Sequence, residues 1–332
     1  MTYRTALVTG AAGFIGRHIT AALRRRSYEV TAIDIARRRG PHMIEHEGTP
    51  ADGSSWHELD ALVLADDRID LGRVDLAVHC AARIGGRLGI ERTPAHVGAY
   101  NLELDAALWR WALRTRPGRV IYYSSSAAYP LAWQDGRTEL RLEERHLDPA
   151  ADIVFAPDAT YGYTKLVGER MAGEVRADGV PVTVLRPFSG YGSDQSTDYP
   201  FGAFVERALL GAGNGEPGVA PFAVWGDGDQ ARDFVHVDDI VGATLAAAEV
   251  GLDGPLNICT GRPVTFNELA AMVCSAAGYT PVLEHDLDKP VGARWRVGST
   301  DELRRLYELT VPLEDGIARA ILSERARWEA MA

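Results

Sequence analysis

Lysine is nearly missing from this chain. Of the 35 basic residues among 332, only Lys165 and Lys289 are lysines and the other 33 are arginines. The simplest source of such a bias is genomic base composition, since arginine codons are GC-rich and lysine codons AT-rich. A lysine kept against that bias marks a position to explain. Cysteine is also scarce: Cys80, Cys259 and Cys274 have neither metal-ligand spacing nor a paired framework. This excludes a disulfide scaffold and a cysteine metal site, and fits a reducing compartment. No apolar run approaches the roughly 20 residues of a membrane span. The first strand begins at once and leaves no room for a signal peptide, so a cytoplasmic protein is expected. An excess of positive charge is lacking too. With 35 Lys+Arg against 46 Asp+Glu the formal net charge is −11, which argues against a nucleic-acid or anionic-membrane partner. It does not exclude a small anionic ligand, because a few local arginines suffice. No repeat of fixed period and no low-complexity segment is found.

What is present is an alternation of strands and helices. Thr5 to Thr9 reads as a strand, Phe14 to about Ser27 as a helix and Val30 to Asp34 as a second strand. A weaker third strand is read as ending at Asp70 and Leu71. Asp75 to His79 and Arg119 to Ser124 are further strands, with a long helix from Ala95 to Thr115 between them. A helix from Asp158 to Asp178 leads to a strand from Val180 to Arg186. This order implies parallel pairing with right-handed crossovers, the α/β doubly wound parallel sheet. After Pro187, Gly, Pro and Asp cluster at Ser189 to Gly202 and Gly211 to Pro221. Strands are read at Ala223 to Trp225, Asp233 to His236 and Leu256 to Cys259, and helices at Asp238 to Val250, Thr265 to Ala277 and Asp301 to Leu306. The expectation is a doubly wound domain over 1–187 with elements returning to it from about 231–260. A smaller C-terminal lobe, facing the substrate, is expected from 188–230 and 261–332.

The glycine turn supplies the first functional reading. Gly10-Ala-Ala-Gly13-Phe14-Ile15-Gly16 follows a strand and opens a helix. Gly10 permits the tight turn, Gly13 lets backbone approach a pyrophosphate, and Gly16 lets helix and strand pack closely. The helix N-terminus then faces the phosphates. Asp34 ends the next strand, where a carboxylate accepts ribose hydroxyls and repels a 2′-phosphate, favouring NAD over NADP. Arg37, Arg38 and Arg39 follow closely and keep NADP open.

Two further segments bring a family into view. Tyr161-Gly-Tyr-Thr-Lys165 is a YxxxK motif, and Ser124-Ser125-Ser126-Ala-Ala-Tyr129-Pro130 ends a strand. With the glycine turn they resemble an extended short-chain dehydrogenase/reductase of the NAD-dependent epimerase/dehydratase family, over nearly the whole chain. The resemblance implies a Rossmann fold, NAD as cofactor and a nucleotide-diphosphate sugar as substrate. By the same resemblance, His79-Cys-Ala81-Ala82 lies beside the cofactor, Asp70-Leu71 contacts adenine, and Asn101 holds the family's asparagine position. Ser124 and Pro187 belong to the cofactor site, and Arg232-Asp-Phe-Val-His-Val-Asp-Asp matches the C-terminal signature of nucleotide-sugar enzymes. Tyr161 and Lys165, four apart on a helix, share one face. A tyrosine of ordinary pKa, about 10, is a poor base at neutral pH, and a neighbouring ammonium favours its phenolate. Tyr161 then takes a proton from a sugar hydroxyl while Lys165 binds ribose. Matching Tyr129-Pro130 to the family places Ser125 at the third catalytic position, with Ser124 and Ser126 as alternatives.

Departures from the family narrow the reaction. Dehydrating members carry an acidic residue just after the catalytic hydroxyl, where this chain has Ser126, Ala127 and Ala128. The cysteine and lysine of 3,5-epimerase-type members are not matched either. What remains is the redox core, and the expected activity is C4 epimerisation of a nucleotide-sugar through a transient 4-keto intermediate, with NAD tightly bound. The alternatives are a net NAD(P)-dependent oxidoreductase, a 3,5-epimerase-type enzyme and, from another class, a non-catalytic dinucleotide sensor. For the substrate, Arg232 is expected to grip the diphosphate with Arg294 or Arg296 as second cation. Gly85, Gly86, Ser126 and Ser189 are expected to approach the sugar. Glu143, Glu144 and His146 read as solvated loop residues. The two long helices resemble the pair that makes a homodimer interface in this family, with Trp109 or Trp111 as a candidate contact.

Overall fold

The computed structural model describes residues 4–35, 55–58, 60–136, 138–151, 155–213 and 221–331. Arg37, Arg38 and Arg39 lie outside them. Seven parallel strands form the main sheet: β1 Arg4–Thr9, β2 Tyr28–Asp34, β3 Ser55–Glu58, β4 Leu76–His79, β5 Val120–Tyr123, β7 Val182–Pro187 and β12 Gly254–Ile258. The two-residue β6, Arg141–Leu142, belongs to a separate sheet. The main order is β12-β7-β5-β4-β1-β2-β3. From β1 the chain winds one way to β2 and the other way to β4, so a crevice opens at the carboxyl ends between them. The register places those ends abreast, with Thr9 beside His79, His79 beside Tyr122, and Tyr123 beside Leu185.

The central strands are continuous apolar runs because helices cover both faces. Helices α1 Phe14–Arg25 and α6 Val237–Val250 pack on one face through Ile19, Leu23, Ile240 and Leu245. Helices α3 Pro94–Thr115 and α4 Ala159–Ala177 pack on the other through Leu108, Trp111, Ala172 and Val175. The short α2 is Gly86–Arg92. A second core gathers α5 Pro200–Gly213, α7 Phe266–Ala277 and α8 Leu313–Met331 around Phe204, Phe222, Leu269 and Ile317. The remaining strands are β8 Ser189–Tyr191, β9 Pro221–Trp225, β10 Ala231–Arg232, β11 Phe234–His236, β13 Val264–Thr265, β14 Val282–Asp286 and β15 Trp295–Gly298. No helix among the described residues is long and apolar enough to cross a membrane.

Several expectations are corrected. Asp70 and Leu71 do not end a strand: the third strand is β3, and the apolar run Ala61–Ala65 that follows is a 3-10 turn capped by the Asp60 side chain. Asp70 is exposed and accepts from Gly72 N at 2.8 Å. Asp301 to Leu306 contains only a 3-10 turn, Leu303–Arg305, and the last helix is α8. Helix α5 occupies part of the stretch read as loops. Trp109 and Trp111 are both buried in the core beneath the sheet.

Candidate active site

The loops after β1, β4, β5 and β7 converge on a cleft of about 780 Å³. Gly10, Gly13, Phe14, Ile15 and Gly16 form one wall. Gly10 holds φ 67°, in the left-handed region, and a Cβ there would lie 2.6 Å from Ala81 N. At Gly16 a Cβ would lie 2.0 Å from the Gly10 carbonyl oxygen. The turn is therefore backbone pressed on backbone, leaving a cradle that side chains would fill. Asp34 accepts from Ala12 N at 2.9 Å and ties the end of β2 to this turn.

Opposite the turn, α4 brings up Tyr161 and Lys165. Its approach depends on Gly162, where a Cβ would lie 2.4 Å from the Ala127 carbonyl oxygen. This lets the helix lie against Ser126–Ala128, the 3-10 turn whose N-cap is Ser125. Ser125 Oγ accepts from Ala127 N at 3.1 Å, and its hydroxyl faces the Tyr161 phenol closely enough to favour the phenolate. Burial pushes the Tyr161 phenol well above its ordinary value, and the neighbouring Ser125 hydroxyl works against that rise. Lys165 is buried, and its Nζ stands 5.0 Å from the Tyr122 ring centroid and 6.0 Å from that of Tyr161. Among the described residues no carboxylate or hydrogen-bond acceptor engages this ammonium, so its donors point to the cleft unspent. Buried donors are kept for a partner, and ribose hydroxyls suit them.

A knot of arginines lines another part of the cleft. Asp158, the N-cap of α4, holds Arg87 through one carboxylate oxygen at 2.8 Å and Arg296 through the other at 2.7 Å. Its carboxyl is thereby spent, and it makes no side-chain cap. Arg296 Nε also donates to the buried Gln134 at 2.5 Å. Burial raises the Asp158 pKa, but Arg296 and Arg87 outweigh it and hold the carboxyl below its ordinary value. Arg232 lies over Phe266 at 5.5 Å and donates to the carbonyls of Ala231, Val291 and Ala293 at 2.7–2.9 Å. Burial and then the Arg296 charge push its pKa down. All three arginines line the cleft.

Of the expected site residues, Ala82, Ser124, Ser125, Ser126, Gly86, Pro187, Ser189, Arg232 and Arg296 meet in this cleft with the glycine turn, Tyr161 and Lys165. Asp34, Asp70, Leu71, Ala81, Gly85 and Asn101 are not among its lining. Asn101 instead clamps a loop: its amide accepts from Arg83 N at 2.6 Å and donates to Arg83 O at 3.1 Å. The Ser124 hydroxyl turns away to the buried Glu169, so Ser124 meets the cleft without it. Arg294 points outward to Asp227 at 2.9 Å, which leaves Arg296 as the inward cation. Glu144 is not a solvated loop residue. It accepts from Asn257 N at 2.8 Å, and burial raises its pKa. Reading the sequence missed Arg87, Asp158, Arg17 and Asp194. Asp158 had a signal, an acid three residues before Tyr161 at the helix start; Arg87 sat in an arginine-rich stretch with none.

Over residues 6–259 the chain matches the NAD dependent epimerase/dehydratase family, and it belongs to that family. NAD is the family's cofactor, and the glycine cradle and the unspent Lys165 ammonium fit it. Among relatives, the chain is 30% identical over 339 residues to a dTDP-4-dehydro-6-deoxy-D-allose reductase of a Streptomyces species, covering 98% of this chain and 96% of the relative. It is 28% identical over 295 residues to the GDP-mannose 3,5-epimerase of Arabidopsis thaliana, covering 87% and 73%. Among solved structures, it resembles the UDP-glucose 4-epimerase of Thermotoga maritima with UDP-glucose, with TM-score 0.78, 25% identity and coverage of 98% and 99%. It also resembles MoeE5 in complex with UDP-glucose and NAD, with TM-score 0.70, 27% identity and coverage of 99% and 100%.

Proposed function

We propose that this protein epimerises a nucleotide-diphosphate sugar at C4 through a transient 4-keto intermediate. The observation that carries the reading is one cleft that holds the glycine cradle, the Ser125–Tyr161–Lys165 group and the Arg87–Arg232–Arg296 knot. Arg87 and Arg296 share the buried carboxylate of Asp158, with the more exposed Glu91 on the outer side of Arg87, and Arg232 has no carboxylate in hydrogen-bond reach among the described residues. That leaves positive charge for a diphosphate, and the forked guanidinium suits phosphate oxygens. Gly10, Gly13 and Gly16 would hold the pyrophosphate of NAD and Lys165 its nicotinamide ribose. When bound, NAD supplies a hydride acceptor for the sugar carbon and a positive ring that favours the Tyr161 phenolate. Tyr161 takes the C4 hydroxyl proton as that carbon becomes a ketone, and returns it when the carbon is reduced from the other face. Burial keeps the phenol protonated, which suits the return step, while the Lys165 ammonium and the Ser125 hydroxyl favour the phenolate that the forward step needs. Ser125 shares the reacting oxygen.

The test is incubation with UDP- and GDP-hexoses and analysis for a C4 epimer. Tyr161→Phe is expected to retain NAD and lose about 10²–10⁴-fold in turnover, the usual span of acid–base catalysis; full activity in this variant overturns the scheme. A second reading, net reduction of a nucleotide-linked keto sugar, is favoured by the 30% identity to a reductase. It requires stoichiometric consumption of reduced cofactor, whereas epimerisation consumes none. A non-catalytic dinucleotide sensor has no use for Ser125, Tyr161 and Lys165 gathered in one cleft. We also propose a homodimer through α3 and α4, supported by the exposed stripe Tyr163, Val167 and Met171 with Leu102. Light scattering on Val167→Arg, expected to be monomeric, tests it.

A further inference from the structure

The segment 193–199 joins β8 to α5, and every residue from Asp194 to Tyr199 lines the same cleft as the glycine turn and Tyr161. It is pinned at both ends. Asp194 accepts from Arg17 Nε at 2.6 Å through its carboxylate and from Arg17 Nη2 at 2.8 Å through its carbonyl. His18 Nε2 stands 3.0 Å from the same carboxylate. Arg17 and His18 belong to α1, directly after Gly16, and Arg17 lies 5.3 Å from the Phe14 ring centroid. At the far end the Asp198 carbonyl rests on Gly86, where a Cβ would lie 2.3 Å from the oxygen. Gly86 has φ 60°, in the left-handed region, so both its conformation and its lack of a side chain serve this contact. Between the pins, Gln195 Nε2 donates to Gly190 O at 2.5 Å, while its Oε1 is buried without a partner among the described residues.

A carboxylate beside the N-terminus of a phosphate-binding helix opposes the very anion the helix attracts. Arg17 and His18 take up the Asp194 charge, so the segment can lie there without that cost. The same pairing uses Arg17 as a tether and leaves the pyrophosphate to backbone N–H groups. We propose that residues 193–199 form a strap over the bound NAD, anchored by Asp194 on α1 and by Asp198 on Gly86, which makes cofactor release slower than sugar turnover. The inference rests on the proposed epimerase reading, because only an enzyme that regenerates its cofactor benefits from keeping it.

The test uses the full chain loaded with NADH, chased with excess NAD, with the loss of bound NADH fluorescence giving the release rate. Asp194→Asn and Gly86→Ala act at opposite ends, and each is expected to release NADH about tenfold faster than the parent. His18→Gln removes one arm of the anchor, is expected to fall between them and the parent, and stands in should Asp194→Asn not fold. Acceleration of less than threefold in all folded variants overturns the strap. Failure of the parent to bind NADH overturns the cofactor site and the strap together. Failure of the epimerase reading appears separately, as no C4 epimer in the sugar assay, while the NADH release series still reads the strap.

Discussion

Beneath the serine run lies a buried ion pair whose removal has a calculable cost. Glu169 and Arg186 have side chains 1% and 0% exposed. Arg186 Nε stands 2.9 and 3.2 Å from the two Glu169 oxygens, and Nη2 stands 2.6 Å from one of them. The other guanidinium donors reach Tyr129 Oη at 2.9 Å, Glu144 O at 2.9 Å and Leu147 O at 3.0 Å. Burial opposes the Arg186 charge, but Glu169 and Tyr129 outweigh it and hold the pKa above its ordinary value. Glu169→Leu keeps this cation in a dry interior with neutral acceptors only, a change that costs about 3–5 kcal/mol. At about 2.1 cal/mol/K per residue, unfolding entropy for a chain of this length is roughly 0.7 kcal/mol/K, so Tm should fall by about 4–7 °C. Calorimetry on parent and variant reads this directly. The double variant Glu169→Leu/Arg186→Met removes both charges and should recover at least half of the loss, because apolar replacement of a whole buried pair is often neutral. A single-variant cost below about 1 kcal/mol, or a double variant no better than the single, would refute the reasoning.

Three further outcomes are expected. Gly16→Ala, whose Cβ would lie 2.0 Å from the Gly10 carbonyl oxygen, should weaken NAD binding at least about 100-fold by calorimetric titration, because close approach at the turn is lost. Arg296→Gln should weaken nucleotide-sugar affinity about tenfold, the loss of one charge-assisted contact, whereas Arg294→Gln, facing outward to Asp227, should stay within about threefold. Acid unfolding should report Asp194, whose carboxyl is lowered to about 2 because His18 and Arg17 overcome the effect of burial. A depressed folded pKa stabilises above the unfolded value and is lost as pH falls, so about 2 kcal/mol should disappear between roughly pH 4 and pH 2, and Asp194→Asn should flatten that part of the stability profile.

The main sheet was readable because its parallel strands are apolar runs and its first crossover carries the glycine turn. Strand β3 was not, since Ser55–Glu58 has one β-favouring residue and no alternation, while the apolar run after it is a capped turn. Helix α8 was missed because charge is spread along Leu313–Met331; its buried face, Leu313, Ile317, Ala320 and Ile321, is sparse. Tyr161, Lys165 and the glycines were legible as motifs, since their spacing is itself the geometry. Asp194 was not, and Asp158 was marked only by its place at the helix start, because their value comes from partners far along the chain. Asp158 reaches Arg296 across 138 positions, and Asp194 reaches Arg17 across 177.

Charge was the hardest property to place, and arginine abundance is the reason. With 33 arginines and two lysines, composition cannot say which cations turn inward. The structure sorts them by what neutralises them. Arg68, Arg73, Arg145 and Arg305 sit on the surface against acids close in sequence, where a pair contributes little to stability. Arg186 is fully buried and matched by Glu169. Arg87 and Arg296 share one carboxylate, and Arg232 rests on carbonyls that carry no full charge. These half-buried guanidiniums outnumber the carboxylates that face them among the described residues, and partly desolvated charge of that kind favours an anion. The diphosphate binding proposed for a chain with net charge −11 would therefore rest on three residues. Lys165 follows the opposite logic. Its place between the Tyr122 and Tyr161 rings suits a compact ammonium, and a planar guanidinium there would spread its charge away from the phenol. The rare lysine and the under-paired arginines thus mark the two ends of one cleft.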